Sequence, residues 1–103
     1  MLIINTTFQV SKSCEEEWTK WVRAKYIPEV IAPGLLTEPR LCRLLIENEP
    51  DNQSFAVQFQ VKDIDTLDFW FQQYGVKMQT DLKDLFQEKV LSFTTVMENI
   101  GLE

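Results

Sequence analysis

From Ser54 to Val61 the chain alternates without a fault. Phe55, Val57, Phe59 and Val61 are apolar, and Ser54, Ala56, Gln58 and Gln60 between them are small or polar. Successive side chains on a strand point to opposite faces, so this spacing specifies a strand with one buried face and one of mixed character. A slip of one residue would exchange the two faces, which ties the pairing of every neighbouring strand to this pattern. Residues 41–48 are also strand-like, with Cys42, Leu44 and Ile46 on one side and Leu41, Arg43, Leu45 and Glu47 on the other. Glu49-Pro50-Asp51-Asn52 suits a hairpin loop, with Pro50 pre-set for the second turn position. The hairpin then sets Ile46 opposite Phe55, Leu44 opposite Val57 and Cys42 opposite Phe59. Its reverse face pairs Arg43 with Gln58, Leu45 with Ala56 and Leu41 with Gln60.

The first strand is expected over residues 1–10. Leu2, Ile4, Phe8 and Val10 share a side that Thr6 interrupts, and Ile3, Asn5, Thr7 and Gln9 lie opposite. Ser13 with Glu16 fits a capping box, and Glu15-Glu16-Glu17 lies where the helix dipole favours negative charge. Trp18, Trp21 and Val22 then form an apolar stripe that reads as core. Pro28 is expected to break this helix near Ile27 and start a short turn over residues 28–32. Residues 35–40 read as a loop. Asp65 is a candidate N-cap for the next helix, whose stripe runs through Leu67, Phe71, Tyr74, Met78, Leu82 and Leu85. Gly75 falls inside that stripe and marks a bend or a tight contact, and Thr80 leaves open whether one helix or two follows. In the last strand, residues 90–98, Leu91, Phe93 and Met97 share one side, with Ser92, Thr94, Val96 and Glu98 opposite.

The element order is β-α-β-β-α-β over a single domain, residues 1–103. Right-handed crossovers convert it into a ferredoxin-like plait of the α+β class, a four-stranded antiparallel sheet ordered 4-1-3-2 with two helices on one face. The uncovered face is expected to carry Ile3, Asn5, Thr7, Leu41, Arg43, Leu45, Ala56, Gln58, Gln60, Ser92, Thr94 and Val96. That set is too apolar for open surface and too polar for a dry core. It suits a face that meets a copy of itself around a partly wet cavity.

Composition removes several function classes. The net charge of −6 opposes nucleic acid and anionic membranes, both of which need clustered Lys and Arg. Phe55-Ala56-Val57-Gln58-Phe59 echoes the third-strand signature of RNA-recognition domains, but its aromatics share the core face and no basic residue precedes them. No apolar run approaches the length of a bilayer span and no signal-peptide pattern opens the chain, so a cytoplasmic protein is expected. Cys14 and Cys42 lie in different elements and read as reduced thiols. Histidine is absent, which rules out Ser-His and Cys-His nucleophile pairs and any His-ligated metal built from this chain alone. Neither a metal site, nor a bound cofactor, nor a catalytic set is expected.

Ligand-binding candidates follow from the uncovered face. Arg43 is its one expected cation, able to hold a carboxylate or phosphate or else to form a salt bridge to Glu47, Glu98 or the partner chain. Asn5, Thr7, Gln58, Gln60 and Thr94 add hydrogen-bonding groups. Tyr26, just before Ile27-Pro28, is a candidate donor at a cavity mouth or a packed amphipathic tyrosine. Asp63, Asp65 and Asp68 are explained by helix capping, and the glutamates beside Cys14 oppose a reactive thiolate.

Ile4-Asn5-Thr6-Thr7-Phe8, Trp18-x-x-Trp21, Ile27-Pro28-Glu29-Val30 and Lys89-x-x-x-Phe93 resemble a Bacteroidetes family of small proteins known only as a domain of unknown function. That family is similar in turn to the dimeric α/β barrel superfamily of small monooxygenases and stress-induced barrel proteins. The resemblance spans nearly the whole chain and implies a homodimer whose sheets face each other with the helices outside. The chain departs from the family pattern at Tyr26, where relatives often carry histidine. It departs again at Leu82 and Leu85, where they tend to carry polar residues, and at Gln87-Glu88, where they have a glycine-rich turn. Three classes of function remain. They are a non-catalytic homodimeric module with or without a small apolar or anionic ligand, a cofactor-free or flavin-assisted monooxygenase or isomerase acting on a small apolar molecule, and a ligand sensor acting with another protein. An arginine cannot serve as a base near neutral pH, which favours the non-catalytic class.

Overall fold

Strand β1 (Leu2–Ser11) runs through the middle of an antiparallel sheet, with β3 (Asn52–Val61) on one side and β4 (Val90–Glu98) on the other; β2 (Leu36–Arg43) completes the order β2-β3-β1-β4. The computed structural model describes residues 1–45 and 49–102. The order equals the expected 4-1-3-2, and the helical segments cover one face of the sheet. That face carries Ile4, Phe8, Val10, Phe55, Val57, Phe59 and Val61, all buried. Burying each of the four β3 side chains is worth roughly 1.5–3 kcal/mol before chain entropy is counted. Trp18 closes the centre of this core, fully buried with its ring 4.8 Å from that of Phe55 and 5.2 Å from that of Phe8.

The first helical segment begins with a 3₁₀ turn, Lys12–Cys14, capped by the Ser11 hydroxyl, which accepts from the Ser13 amide. The expected Ser13–Glu16 capping box is therefore not formed. Helix α1 (Glu15–Trp21) continues through a π turn, Val22–Tyr26, into α2 (Ile27–Ile31). Pro28 does not break the helix. In the π turn the Ile27 amide reaches back five residues to the Val22 carbonyl, which opens the helix just where a proline ring would crowd the preceding turn. Gly34, at φ +80°, ends the segment.

The second helical segment starts at Asp63, not Asp65. The Asp63 carboxylate accepts from the Thr66 amide at 2.8 Å and from the Thr66 hydroxyl at 2.6 Å, and these bonds hold its pKa below the usual value. Helix α3 (Ile64–Trp70), a π turn (Phe71–Gly75) and α4 (Val76–Phe86) then run on continuously. The π turn holds one more residue than an α turn, so the buried stripe passes from Trp70 to Gly75, Met78 and Phe86. Tyr74 and Leu85, expected on the stripe, are 38% and 56% exposed. Gly75 makes the tight contact its position implied: a Cβ there would lie 2.8 Å from both the Phe71 and Trp70 rings.

Two strands are placed differently from expectation. β2 lies earlier than residues 41–48 and includes most of the supposed loop 35–40. Leu36 pairs with Val61 and Thr37 with Gln60, then the register shifts so that Arg40 pairs with Gln58, Leu41 with Val57 and Arg43 with Phe55. The extra residue is a β-bulge at Glu38 (φ +52°) and Pro39 on an edge strand, where a missing amide costs no ladder bond. Leu41 and Arg43 consequently face the helices, and Leu44 bonds to Ser54 rather than facing Val57. Leu45 lies beyond the strand and is 86% exposed. The expected pairing of Ile46 and the placement of Glu47 and Asn48 fall outside the described residues. In β4 the faces are exchanged as well. Val96, Thr94, Ser92 and Val90 pair with Ile4, Thr6, Phe8 and Val10 on the helix side. Leu91, Phe93 and Met97 therefore project from the uncovered face, 59%, 65% and 39% exposed.

Two stability changes are expected. Gly75→Ala should lower stability by about 1–3 kcal/mol in urea denaturation, because crowding two rings outweighs the gain of about 1 kcal/mol in helix propensity. Gln87, at φ +52° and ψ −131°, holds a conformation that suits glycine. Gln87→Gly should therefore raise the urea midpoint by about 1 kcal/mol equivalent at unchanged slope.

Candidate functional site

The seven candidate residues fall into three separate places. Asn5, Thr7, Gln58 and Gln60 do lie on the uncovered face. The Gln58 side chain donates to Asn5 Oδ1 at 3.0 Å, and Asn5 Nδ2 donates to Thr7 Oγ1 at 3.2 Å, giving a polar row across the middle of the sheet. The cation beside this row is Arg40, paired with Gln58, and not Arg43. Reading residues 35–40 as a loop concealed Arg40, since a single bulge residue decides which arginine faces outward.

Arg43 points to the other side. Its guanidinium donates to Glu15 Oε2 at 3.1 Å and lies 5.0 Å from the centroid of the Phe55 ring. Arg43 thus forms a salt bridge, but to Glu15 on the helix side and not to the expected Glu98 or a partner chain; Glu47, the other expected partner, lies outside the described residues. The pair is partly exposed and contributes at most about 1 kcal/mol. Thr94 also belongs to the helix side, where its hydroxyl shares a hydrogen bond of 2.9 Å with that of Thr6.

Thr94 and Tyr26 meet in a cavity of about 260 Å³ between the sheet and the α3–α4 segment. Its floor is apolar and buried, formed by Ile4, Phe8, Leu36 and Phe59 of the sheet with Trp70 and Met78 of the helices. Ser92, Thr94, Asp68 and Gln79 also line it and are exposed, so the mouth lies where β4 extends past the helices. Thr6 supplies a polar group deeper in. Its interruption of an otherwise apolar strand face was the sequence signal for this cavity, though it pointed to no particular partner. Tyr26 and Leu82 both stand in the wall.

The electrostatics of the lining are simple. Among the described residues it contains one carboxylate, Asp68, and no lysine or arginine. Tyr26 packs edge-on against Phe8 and tilted against Trp21, at 6.0 and 5.2 Å between ring centroids. Burial pushes its phenol up to about 12, so it is a neutral hydrogen-bond donor at physiological pH. Cys14 lies elsewhere in the core, and burial raises its thiol pKa first, with Glu17 adding to the effect and Lys89 opposing it. No group of three or more metal-ligating side chains occurs among the described residues. A phenol whose folded pKa exceeds its ordinary value of 10.0 contributes stability in full below pH 10, and that contribution disappears as pH rises toward 12. Denaturation followed across that window should show the wild type losing more stability than Tyr26→Phe.

The fold has known counterparts. HapK from Hahella chejuensis superposes with a TM-score of 0.69 at 15% identity, covering 100% of this chain and 96% of its own. A dimeric ferredoxin-like protein from an uncultured marine organism gives a TM-score of 0.60 at 12% identity, with 99% and 97% covered. The de novo designed protein Foldit4 gives 0.61 at 9% identity, with 95% and 97% covered. At such identities the likeness shows the fold alone, and a designed protein among the matches underlines that this architecture implies no particular activity. No curated protein matches the chain. The model of the domain of unknown function DUF4286 matches residues 1–100, and the chain belongs to that family.

Proposed function

We propose that this protein is a homodimeric small-molecule-binding module without catalytic chemistry of its own. The observation that carries the reading is the cavity under α3 and α4. Apolar walls with a few converging polar groups are the usual composition of a ligand pocket. Its volume of about 260 Å³ exceeds the roughly 150 Å³ of an apolar protein cavity that takes up benzene. One substituted ring is the size of molecule it would hold.

The alternative, a cofactor-free or flavin-assisted monooxygenase or isomerase, needs a proton acceptor beside the substrate. The titratable lining groups are Tyr26, protonated well above neutral pH, and Asp68 on the exposed side. Neither is a buried base.

The second half of the proposal concerns the uncovered face. Ile3, Ala56, Leu91, Phe93 and Met97 surround the Gln58–Asn5–Thr7 row there, and Arg40 supplies the charge. Four strands of about nine residues present a patch of roughly 19 by 30 Å from strand spacing and rise. With side-chain relief, this approaches the roughly 800 Å² per partner of a standard interface. A second copy, related by a twofold axis, fits such a nearly uncharged surface, and the dimeric ferredoxin-like protein of similar fold assembles as its name states. Among the described residues no helix is long and apolar enough to cross a membrane. The free thiols Cys14 and Cys42, on opposite sides of the sheet, fit a reducing compartment such as the cytoplasm.

Titration with ethylbenzene, followed by amide chemical shifts, tests the cavity. Shifts are expected around Trp70, Met78 and Thr94 in the wild type and should vanish in Leu82→Trp, whose indole fills the space. A folded wild type that shows no shifts overturns the binding reading. Light scattering should give the mass of a dimer at micromolar concentration and that of a monomer for Phe93→Glu; a monomeric wild type removes the interface.

A further inference from the structure

The cavity has a polar arrangement more specific than its size. Among the described residues the Tyr26 hydroxyl has no hydrogen-bond partner, although its ring is held between Phe8 and Trp21. A half-buried hydroxyl that donates to nothing in the protein forfeits a hydrogen bond unless water or a ligand accepts it. The Thr6 and Thr94 hydroxyls, by contrast, already commit one proton to each other. Among the described residues no cation lines the cavity to neutralise an anion, and Asp68 at the mouth repels one. The chain's overall charge of −6 acts in the same direction.

From these observations we infer that the ligand is an uncharged single-ring molecule bearing a carbonyl or comparable acceptor, and that Tyr26 is the residue that selects it by donating a hydrogen bond. The inference rests on the cavity reading above and narrows it. Excluding anions sets aside the carboxylate or phosphate ligand that an arginine on the sheet first invited, because Arg40 lies across the sheet from the cavity and Arg43 is engaged by Glu15.

Three probes of similar shape separate the possibilities when titrated into the full-length wild type and into Tyr26→Phe. They are acetophenone (neutral, with an acceptor), ethylbenzene (neutral, without one) and benzoate (anionic). Tyr26→Phe keeps the ring and its packing, so the fold is retained. The substitution should weaken acetophenone about five- to tenfold, the usual worth of one hydrogen bond, and leave ethylbenzene within twofold. Benzoate should not bind at matched concentrations. Equal effects of Tyr26→Phe on the two neutral probes would overturn the role of Tyr26 while leaving the cavity reading intact. Benzoate binding more tightly than acetophenone would overturn the uncharged class. Failure of both neutral probes to bind the wild type would overturn the cavity reading and this inference together.

Discussion

The contact on which the structure depends is Trp18 wedged between the helices and the sheet. Its indole lies over Phe8 of the central strand and Phe55 of its neighbour, and so fixes the height of the first helical segment above the strands and the face they must present to it. The arrangement carries a cost. The indole N–H groups of Trp18 and Trp21 have no partner among the described residues, a loss of about 1–3 kcal/mol each that burial of the large rings must offset. Two helical segments can roof only one side of four strands, so the uncovered face and the open rim at β4 follow from the same packing.

Single-residue insertions then tune what each element presents. The π turn before Pro28 lets the first helical segment pass a proline and carry Tyr26 inward. A second π turn, before α4, brings Gly75 beneath the rings of Trp70 and Phe71 and moves the buried stripe by one position. The bulge at Glu38–Pro39 does the same for β2, exchanging Arg43 for Arg40 on the outer face. Each adds one residue to a regular period, and each lies beside the cavity or the uncovered face. Such irregularities are where a fold shared with a designed protein acquires features of its own.

The candidate site was legible in part. Asn5, Thr7, Gln58 and Gln60 could be placed correctly because β1 and β3 are central strands, whose two faces have sharply different surroundings. Tyr26 and Thr94 both line the space under the helices, and Thr94 does so in place of its expected position on the uncovered face. The cavity that joins them lies under the helices, and no local pattern reports which helix stops short of which strand. The bulge turns Arg43 to the helix face, where its partner is Glu15 and not a residue of the uncovered face. The phase of β4 could not be read locally either. Leu91, Phe93 and Met97 mark an apolar face as clearly as Phe55 and Val57 do, but alternation does not say whether a helix or solvent lies against it.

The amino-acid sequence by itself determined the element order, the strand order, the central core strands and the exclusion of histidine chemistry. Those depend on period, composition and chain connectivity, which are local or topological properties. Only the tertiary structure decided which way the edge strands turn, where the helical segments leave a space, and which polar side chains meet in it. Edge strands are paired on one side only and touch few neighbours, so one extra residue inverts the face of β2, and for the unbroken register of β4 only the packed assembly shows which face the helices cover.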